Sequence, residues 1–526
     1  MLLKNLEIES LDNIQTEGFI SENKLFQFGI AEKGEDILSI FHRVIDSIAK
    51  IETVYSSEES IDQFKKETFQ LLKDKKLIPC TPILMNAGRI EGAPLSACAV
   101  PPVDLGGDLE KVKMIVDYFH NSGMGTGFNF DEIDDPVEII QYLNQIGVEG
   151  QKSDKQLRPV GNMGSLSITH PKIIDFIEIK NNRKDHPWVF NFSVNLDEDK
   201  INKIKQGTMI TLKNGELVSS TELLNRISMS IHTSGEPGLV FVDRLNRDNQ
   251  VPSAGEYKSL APCGEVGLVE GETCQFSYLN LGKFVEAGQL NYEGLRRAVE
   301  IGVRFLDDVV DYNITRYESD LSKEITKRKR KIGLGVCGLA DLLDKLNIEY
   351  DSPEAIELAE NVFSFINFVS KKMSLKLAIE RGAFDDFKKS KYVTDENIIR
   401  RFSQQETQTV SKNDWLALET EVKKYGIRNC STTALPPTGR SSLIIMASQS
   451  IEPHFTDMLK ISPKDQLLMI SAIQKFIDES ISKTINVSQM TSVDEIKEIL
   501  LMAMDLNLKG ITIYRDKSRD NQPKEI

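Results

Sequence analysis

Helical segments alternate with short apolar runs through about four hundred residues of this chain, and that alternation restricts it to an α/β architecture with strands buried between helices. The runs at 208–212, 238–242 and 442–446 are each bounded by turn residues and read as strands. Helix signals stand around them. Residues 34–76 carry helical periodicity, and the segment from Ser56 has an acidic first turn (Glu58, Glu59) and a lysine-rich last turn (Lys73, Lys75, Lys76), matching the helix dipole. Ser352 and Pro353 supply an N-cap and a first-position proline, and Gly382 a stop, predicting one helix of roughly thirty residues. Ser462-Pro463 opens another helix. Ser492 and Glu495 fit a capping box for a further one, which Gly510 is expected to close before the apolar run at 511–514. Pattern alone does not choose between a barrel and an open sheet.

The chain has 526 residues and a formal net charge of −15. That balance repels duplex phosphate, and the Lys-Arg-Lys-Arg-Lys run at 327–331 is too isolated to reverse it; the run reads as a solvated loop or helix start. No direct nucleic-acid partner is expected. No stretch approaches roughly eighteen apolar residues, so no membrane span is expected. The N-terminus has neither a basic start nor an apolar block, which argues against a secretory signal and for a cytoplasmic protein.

Cysteines carry the chemical information. Cys263 lies in Ala261-Pro262-Cys263-Gly264-Glu265, and Cys274 follows in Glu272-Thr273-Cys274-Gln275. The Pro-Cys-Gly-Glu run presents a thiol on a tight, Gly-permitted loop with a carboxylate two residues on, so sulfur and acid can address one small substrate. Cys98, in Leu95-Ser96-Ala97-Cys98, lies far upstream and can meet Cys274 only through the fold. One thiol beside an acid plus a distant pair is the layout of a thiol-based redox reaction. Cys80, Cys337 and Cys430 have no charged partner nearby in sequence and read as buried, inert thiols. The six cysteines and six histidines form no CxxC, HExxH or other local ligand pair, so no structural metal is expected. His454, in Ile451-Glu452-Pro453-His454, reads as a packed loop histidine.

Three Gly-containing segments are candidate anion loops. Gly123-Met124-Gly125-Thr126-Gly127-Phe128-Asn129 lacks the lysine of a P-loop and the spacing of a dinucleotide fingerprint, and taken singly is a loop. Pro437-Thr438-Gly439-Arg440-Ser441 offers hydroxyls, backbone amides and one guanidinium, a set suited to phosphate or to an ordinary turn. Arg158-Pro159-Val160-Gly161-Asn162-Met163-Gly164 is a flexible loop with a cation.

Taken in order, these segments resemble the large, catalytic subunit of ribonucleotide reductases. The likeness runs from about residue 77 to 518 through Thr81-Pro82-Ile83-Leu84-Met85-Asn86-Ala87-Gly88, which resembles the family's first barrel-strand segment, then Leu95-Ser96-Ala97-Cys98, the 125–129 segment, Gly161-Asn162-Met163-Gly164, Pro262-Cys263-Gly264-Glu265, Cys274 with Leu279-Asn280-Leu281, and Pro437-Thr438-Gly439 with Ile451-Glu452-Pro453. The resemblance implies a ten-stranded α/β barrel at 77–518 with a central finger loop, a small helical region at 1–76 and a flexible tail at 519–526. It implies that Cys263, at the finger's tip, carries a transient thiyl radical that abstracts the substrate 3′ hydrogen. Glu265 then serves as acid/base at the 3′ hydroxyl, and Cys98 and Cys274 supply two electrons and end as a disulfide. Thr81, Ala97, Ala261, Pro437, Thr438, Gly439, Arg440 and Ser441 fall in the substrate site, and Arg158, Gly161 and Asn162 in the loop that links an allosteric effector to the substrate base. The implied ligands are a ribonucleoside di- or triphosphate and a dNTP or ATP effector. A thioredoxin-like or other external dithiol is the implied reductant, and a homodimer the implied assembly.

Departures from the family pattern matter too. The family usually has Asn at the position of Ala261, where its amide helps hold the ribose hydroxyls; losing that bond costs roughly 1–3 kcal/mol of transition-state binding if nothing replaces it. Arg440 stands where a small hydroxyl residue is common. No cysteine follows Cys430, so a re-reducing tail pair is not expected, and only some 75 residues precede the barrel segment, too few for a large effector-binding cone. Members that receive the radical from a separate metal-containing subunit usually carry two adjacent tyrosines near the barrel's end, whereas Tyr514 stands alone between Ile513 and Arg515. That resembles the adenosylcobalamin-dependent class II. Three alternatives stay open: a large subunit that needs a radical-generating partner, a noncatalytic nucleotide-binding paralogue that regulates a reductase, and a radical enzyme acting on a modified nucleotide.

Overall fold

The computed structural model describes residues 19–89, 92–153, 156, 158–181, 187–394 and 396–518; the expected tail at 519–526 lies outside them. Three helices come first, Glu22–Gln27, Ile37–Ile48 and Glu58–Lys73. Ser57 caps the third by accepting from Ser60 N, and Glu58, Glu59 and Lys73 sit at the ends where the helix dipole favours them.

Seventeen strands are assigned among the described residues. β1 (Leu77–Pro79), β2 (Cys98–Ala99), β3 (Gly125–Asn129), β4 (Asn162–Ser167) and β5 (Phe190–Leu196) precede a small hairpin, β6 (Met209–Thr211) with β7 (Leu217–Ser219). β8 (Gly238–Phe241) is followed by a second hairpin, β9 (Ser259–Leu260) with β10 (Gly267–Leu268). β11 (Thr273–Cys274) runs through Gln275 into β12 (Phe276–Asn280). A third hairpin, β13 (Val285–Glu286) with β14 (Gln289–Leu290), precedes β15 (Gly333–Cys337), β16 (Thr484–Val487) and β17 (Gly510–Arg515).

The main sheet has the order β11-β2-β3-β4-β5-β8-β17-β16. β2 through β8 are parallel neighbours, and the sheet turns antiparallel where β11 meets β2 and where β17 meets β8. Parallel strands need crossovers, and the helices Leu109–Asn121, Pro136–Lys152 and Ser220–Ser234 supply them. A second sheet, β1-β12-β15, shares the continuous β11–β12 segment with the first. Parallel bridges pair Leu334 with Thr433 and Leu435 with Ile481, which leads the second sheet back toward β16. Every residue of β8, β12 and β15 is buried, as expected of strands covered on both faces. The fold is thus mixed α/β around a large, mainly parallel sheet.

The helix from Pro353 to Arg381 spans 29 residues, with Ser352 accepting from Ala355 N and Gly382 at its C-terminus. It packs on Tyr292–Ile314 in the main core. Pro463–Gln474 and the Ser492–Glu495 capping box also form as the sequence predicts.

Five local expectations are overturned. The run at 442–446 lies in the helix Gly439–Ile444 and the residues just after it: Ile444 and Ile445 are buried while Met446 is exposed, so the run covers one helical face. Residues 81–86 are helical too, with Pro82 in the first turn, and the strand expected there is β1, just before. The 125–129 segment is a buried strand and not a loop. The final helix ends at Asp505, and Gly510 instead begins β17, where a Cβ would stand 3.1 Å from Leu239 O. Lys329, Arg330 and Lys331 are buried rather than solvated, because carboxylates from distant segments reach them: Glu272 lies 2.7 Å from Lys329, Asp307 2.7 Å from Arg330 and Glu479 3.2 Å from Lys331.

Candidate active site

The β9–β10 hairpin carries Cys263 at its tip. Ala261 N donates to Val266 O at 3.0 Å and Gly264 N to Ala261 O at 2.8 Å, a turn that needs the positive φ of Gly264 (+78°). Partners from four segments hold the hairpin. Ser165 Oγ donates to Lys258 O at 3.1 Å, Asn191 Nδ2 to Pro262 O at 2.9 Å, Ser480 N to Glu265 O at 3.0 Å and Lys331 Nζ to Gly267 O at 2.6 Å. A Cβ on Gly127 would stand 2.1 Å from Leu260 O, and one on Gly125 2.8 Å from Pro262 Cγ. The glycines of the 125–129 segment therefore let the hairpin lie against β3.

Cys98 and Cys274 are Cα partners across β2 and β11. Cys98 Sγ is 3.9 Å from Glu265 Oε1, and Cys274 Sγ is 3.8 Å from the Cys98 carbonyl oxygen. Thus Cys98 meets, through the fold, the Glu265 and Cys274 of a segment more than 160 residues away. Burial raises Glu265 to about 7, against hydrogen bonds from the Glu265 and Cys263 backbone that favour the carboxylate. The Cys98 thiol is pushed well up, first by its contact with Cys274 and then by burial; burial likewise raises Cys263 and Cys274. The three thiols are protonated near neutral pH and sit as hydrogen donors.

Behind the cysteine pair lies a buried polar cluster that the sequence does not announce. Tyr317 Oη is 2.5 Å from Ser96 Oγ and 2.6 Å from Thr273 Oγ1, while Asn313 Nδ2 donates to Ser96 Oγ at 3.0 Å. Ser96 and Thr273 are close neighbours of Cys98 and Cys274 in the chain, so the cluster ties the two cysteine-bearing strands together.

A cavity of about 1910 Å³ opens in front of these groups. Thr81, Ala97, Cys98, Arg158, Gly161, Cys263, Glu265, Pro437, Thr438, Gly439 and Arg440 line it. Ala261 and Ser441 do not line it: Ala261 is fully buried, and the Ser441 hydroxyl donates to Pro79 O at 2.9 Å. Thr438 has a positive φ (+63°), and its Oγ1 accepts from Ser450 N at 3.0 Å.

Arg158 reaches into the cavity, donating from Nε to Gly123 O at 2.6 Å and from Nη2 to Ala97 O at 3.0 Å. Asn162 is buried elsewhere: Thr126 Oγ1 donates to its Oδ1 at 2.5 Å, and His120 Nε2 lies 2.9 Å from the same atom. Burial lowers His120 to about 4. His454 Nε2 lies 2.8 Å from Asp344 Oδ2 and lines the cavity. Cys80, Cys337 and Cys430 are buried, and burial raises all three, Cys80 to about 11 and Cys430 to about 12. Among the described residues no group of histidine, cysteine or carboxylate side chains could hold a metal ion. No helix among them is long and apolar enough to cross a membrane. The sequence reading missed Asn191 and Tyr317 and took Lys331 for part of a solvated run; only the polar character of Asn191 between Phe190 and Phe192 hinted at a role.

The family model described as "Ribonucleotide reductase, barrel domain" matches residues 131–460 and 454–514. A vitamin B12-dependent ribonucleoside-diphosphate reductase of Thermoplasma acidophilum is 30% identical over 94% of this chain and 70% of its own length. One of the same description from Mycobacterium tuberculosis is 28% identical over 86% of this chain and 72% of its own length. A ribonucleoside-diphosphate reductase subunit alpha of Chlamydia trachomatis is 32% identical, over 45% of this chain and 24% of its own length. With a barrel-domain match across most of its length and such a relative spanning nearly all of it, the chain belongs to the ribonucleotide reductase family and is a catalytic subunit of it.

Proposed function

We propose that this chain is a class II reductase that converts ribonucleotides to 2′-deoxyribonucleotides through a thiyl radical on Cys263. The observation that carries this is that Cys98, Cys263 and Glu265 line one cavity, with Cys274 buried directly opposite Cys98. The two sheets then form one ten-stranded barrel at 77–518, closed through the bridges at Thr433 and Leu435, with the Cys263 hairpin as its finger loop, residues 1–76 as a helical N-terminal region and 519–526 as a tail.

Cys263 gives up its hydrogen and, as a thiyl radical, takes the substrate 3′ hydrogen; that hydrogen is returned to the 3′ carbon at the end, which regenerates the thiyl radical, and the thiol re-forms when the hydrogen first given up comes back. Glu265, poised near pH 7, takes the 3′ hydroxyl proton. The 2′ hydroxyl leaves as water with a proton from the Cys98–Cys274 pair. That pair also supplies the second hydrogen, with two electrons, to the 2′ carbon and ends as a disulfide, while Glu265 returns the 3′ proton, so atoms and electrons balance. Directly opposed Cα atoms in antiparallel strands lie about 4.5–5.5 Å apart, within the range a disulfide spans. Thr81 and the loop from Pro437 to Ser441 hold the phosphates, and Ala97 lines the substrate site. Ala261 offers no amide to the ribose, and Asn191, which lines the cavity and donates to Pro262 O beside Cys263, is a candidate to replace it.

The cavity exceeds the roughly 300–1,000 Å³ of an ordinary ligand pocket and has room for a second group beside a nucleotide. Trp188, His232 and Tyr514 also line it and offer flat surfaces that fit a corrin and adenosyl group. Adenosylcobalamin supplies, when bound, a carbon-centred radical by homolysis of its cobalt–carbon bond. The relatives from Thermoplasma acidophilum and Mycobacterium tuberculosis, named vitamin B12-dependent, and the lone Tyr514 both support this choice. Arg158, Gly161 and Asn162 join the effector to the substrate site, an external dithiol of thioredoxin type re-reduces the disulfide, and the chain acts as a cytoplasmic homodimer with a dNTP or ATP effector.

The test is anaerobic turnover of ribonucleotides with dithiothreitol, with and without adenosylcobalamin, beside Cys263→Ala. Deoxyribonucleotide formation that requires the cofactor and vanishes in the variant supports the proposal. Absence of product with nucleotide binding intact transfers the assignment to a subunit needing a radical-generating partner or to a regulatory paralogue.

A further inference from the structure

The segment around the first helix packs onto the phosphate-loop side of the cavity. Ile20 N donates to Ile444 O at 3.1 Å, and Ile20, Lys24 and Phe28 line the cavity together with Pro437, Thr438, Gly439 and Arg440. Lys24 Nζ lies 5.7 Å and the Arg440 guanidinium carbon 4.9 Å from the centre of the Phe28 ring, and Arg440 Nη1 donates to Phe28 O at 3.4 Å. One ring thus holds two cations from opposite ends of the chain at the mouth of the same loop.

Among the described residues these cations lack carboxylate counter-charges. Neither Lys24, Arg440 nor neighbouring Arg158 is in an ion pair with a carboxylate among the described residues. Elsewhere this protein pairs its buried guanidiniums: Arg330, Arg381 and Arg428 each meet Asp307 within hydrogen-bonding reach. Burial, and then Arg158, makes the charged form of Arg440 less favourable than usual. Uncompensated cations around a loop of hydroxyls and backbone amides call for a multiply charged anion. A structural role as mere packing on Phe28 accounts for the stacking but not for the missing carboxylates.

We infer that Lys24, Phe28 and Arg440 form a second anionic subsite, which takes the terminal phosphate of a nucleoside di- or triphosphate; this rests on reading the cavity as the substrate site. The inner phosphate lies in the Thr438 loop and the outer one between Lys24 and Arg440. The arrangement selects substrates by phosphate-chain length.

The test measures equilibrium binding of CMP, CDP and CTP to the full chain and to Arg440→Ser, Arg440→Lys and Lys24→Gln, with thermal melts as the folding control. The expected result is a loss of roughly tenfold or more for CDP or CTP in Arg440→Ser, a smaller loss in Lys24→Gln, partial recovery with lysine at 440, and CMP unchanged. Equal losses for CDP and CTP place the β-phosphate in the subsite, and a loss confined to CTP places the γ-phosphate there. Losses equal for CMP, CDP and CTP, or no loss in a folded Lys24→Gln variant, overturn the inference while leaving the substrate site standing. A wild-type chain that binds none of the three nucleotides overturns both.

Discussion

The Tyr317 phenol stands 2.5 Å from the Ser96 hydroxyl, and it reaches Thr273 as well, so a single oxygen joins the two strands that bear Cys98 and Cys274. Tyr317→Phe removes that oxygen while keeping the ring. It leaves two buried hydroxyls without this partner, for an expected loss of about 1–3 kcal/mol in urea denaturation. Because the cysteine strands lose their tie, disulfide formation on substrate turnover slows relative to wild type, measured by quench and thiol counting.

Glu265 should set a pH limb. Burial raises it from 4.5 to about 7, so the carboxylate needed as base accumulates as pH rises through about 7. Activity is expected to rise through that range, and Glu265→Gln to flatten the limb and lower the rate by roughly two orders of magnitude or more. A raised carboxyl binds more protons folded than unfolded between 4.5 and about 7, so it lowers stability as pH rises through that window. Glu265→Gln should gain stability relative to wild type above pH 7, by an amount of order 3 kcal/mol, in paired melts at pH 5 and pH 8.

Gly127→Ala pushes a methyl group toward Leu260 O, where a Cβ would lie 2.1 Å away and the obstacle is backbone. The hairpin bearing Cys263 must shift. Overpacking costs about 1–3 kcal/mol, and displacement of the thiol by about 1 Å costs roughly a hundredfold in turnover. A kinetic assay with a melt separates the two effects, and near-normal turnover would show that the hairpin position is not tightly set by β3.

Lys331 pairs with Glu272 at 3.4 Å and Glu479 at 3.2 Å and donates to Gly267 O on the hairpin. Lys331→Met leaves two buried carboxylates short of a cation, with an expected loss of about 3–5 kcal/mol in chemical denaturation. Double replacement with Glu479→Gln should recover part of that loss, since it removes one of the stranded charges.

Much of the helical framework was legible because its signals are local. The Ser352 cap, Pro353 and Gly382 bracket one helix, and the Ser492–Glu495 box starts another, all within a few residues of the turn they govern. Runs decided by distant partners were not legible. Residues 442–446 look like a strand until the positive φ of Thr438 and Gly439 turns the chain into a helix. Lys329, Arg330 and Lys331 look solvated until Glu272, Asp307 and Glu479 arrive from elsewhere in the chain.

The candidate site divides along the same line. Sequence by itself determined the chemistry available: a thiol two residues from an acid at Cys263 and Glu265, two further thiols at Cys98 and Cys274, and an Arg-bearing hydroxyl loop at 437–441. Tertiary structure alone decided that Cys98 opposes Cys274, that the glycines of β3 serve the hairpin rather than an anion, and that Lys24 joins Arg440 beside Phe28. The reason is physical: residue type and local spacing fix what a group can donate, accept or transfer, while strand pairing and burial across hundreds of residues fix which groups meet and how far their protons are held.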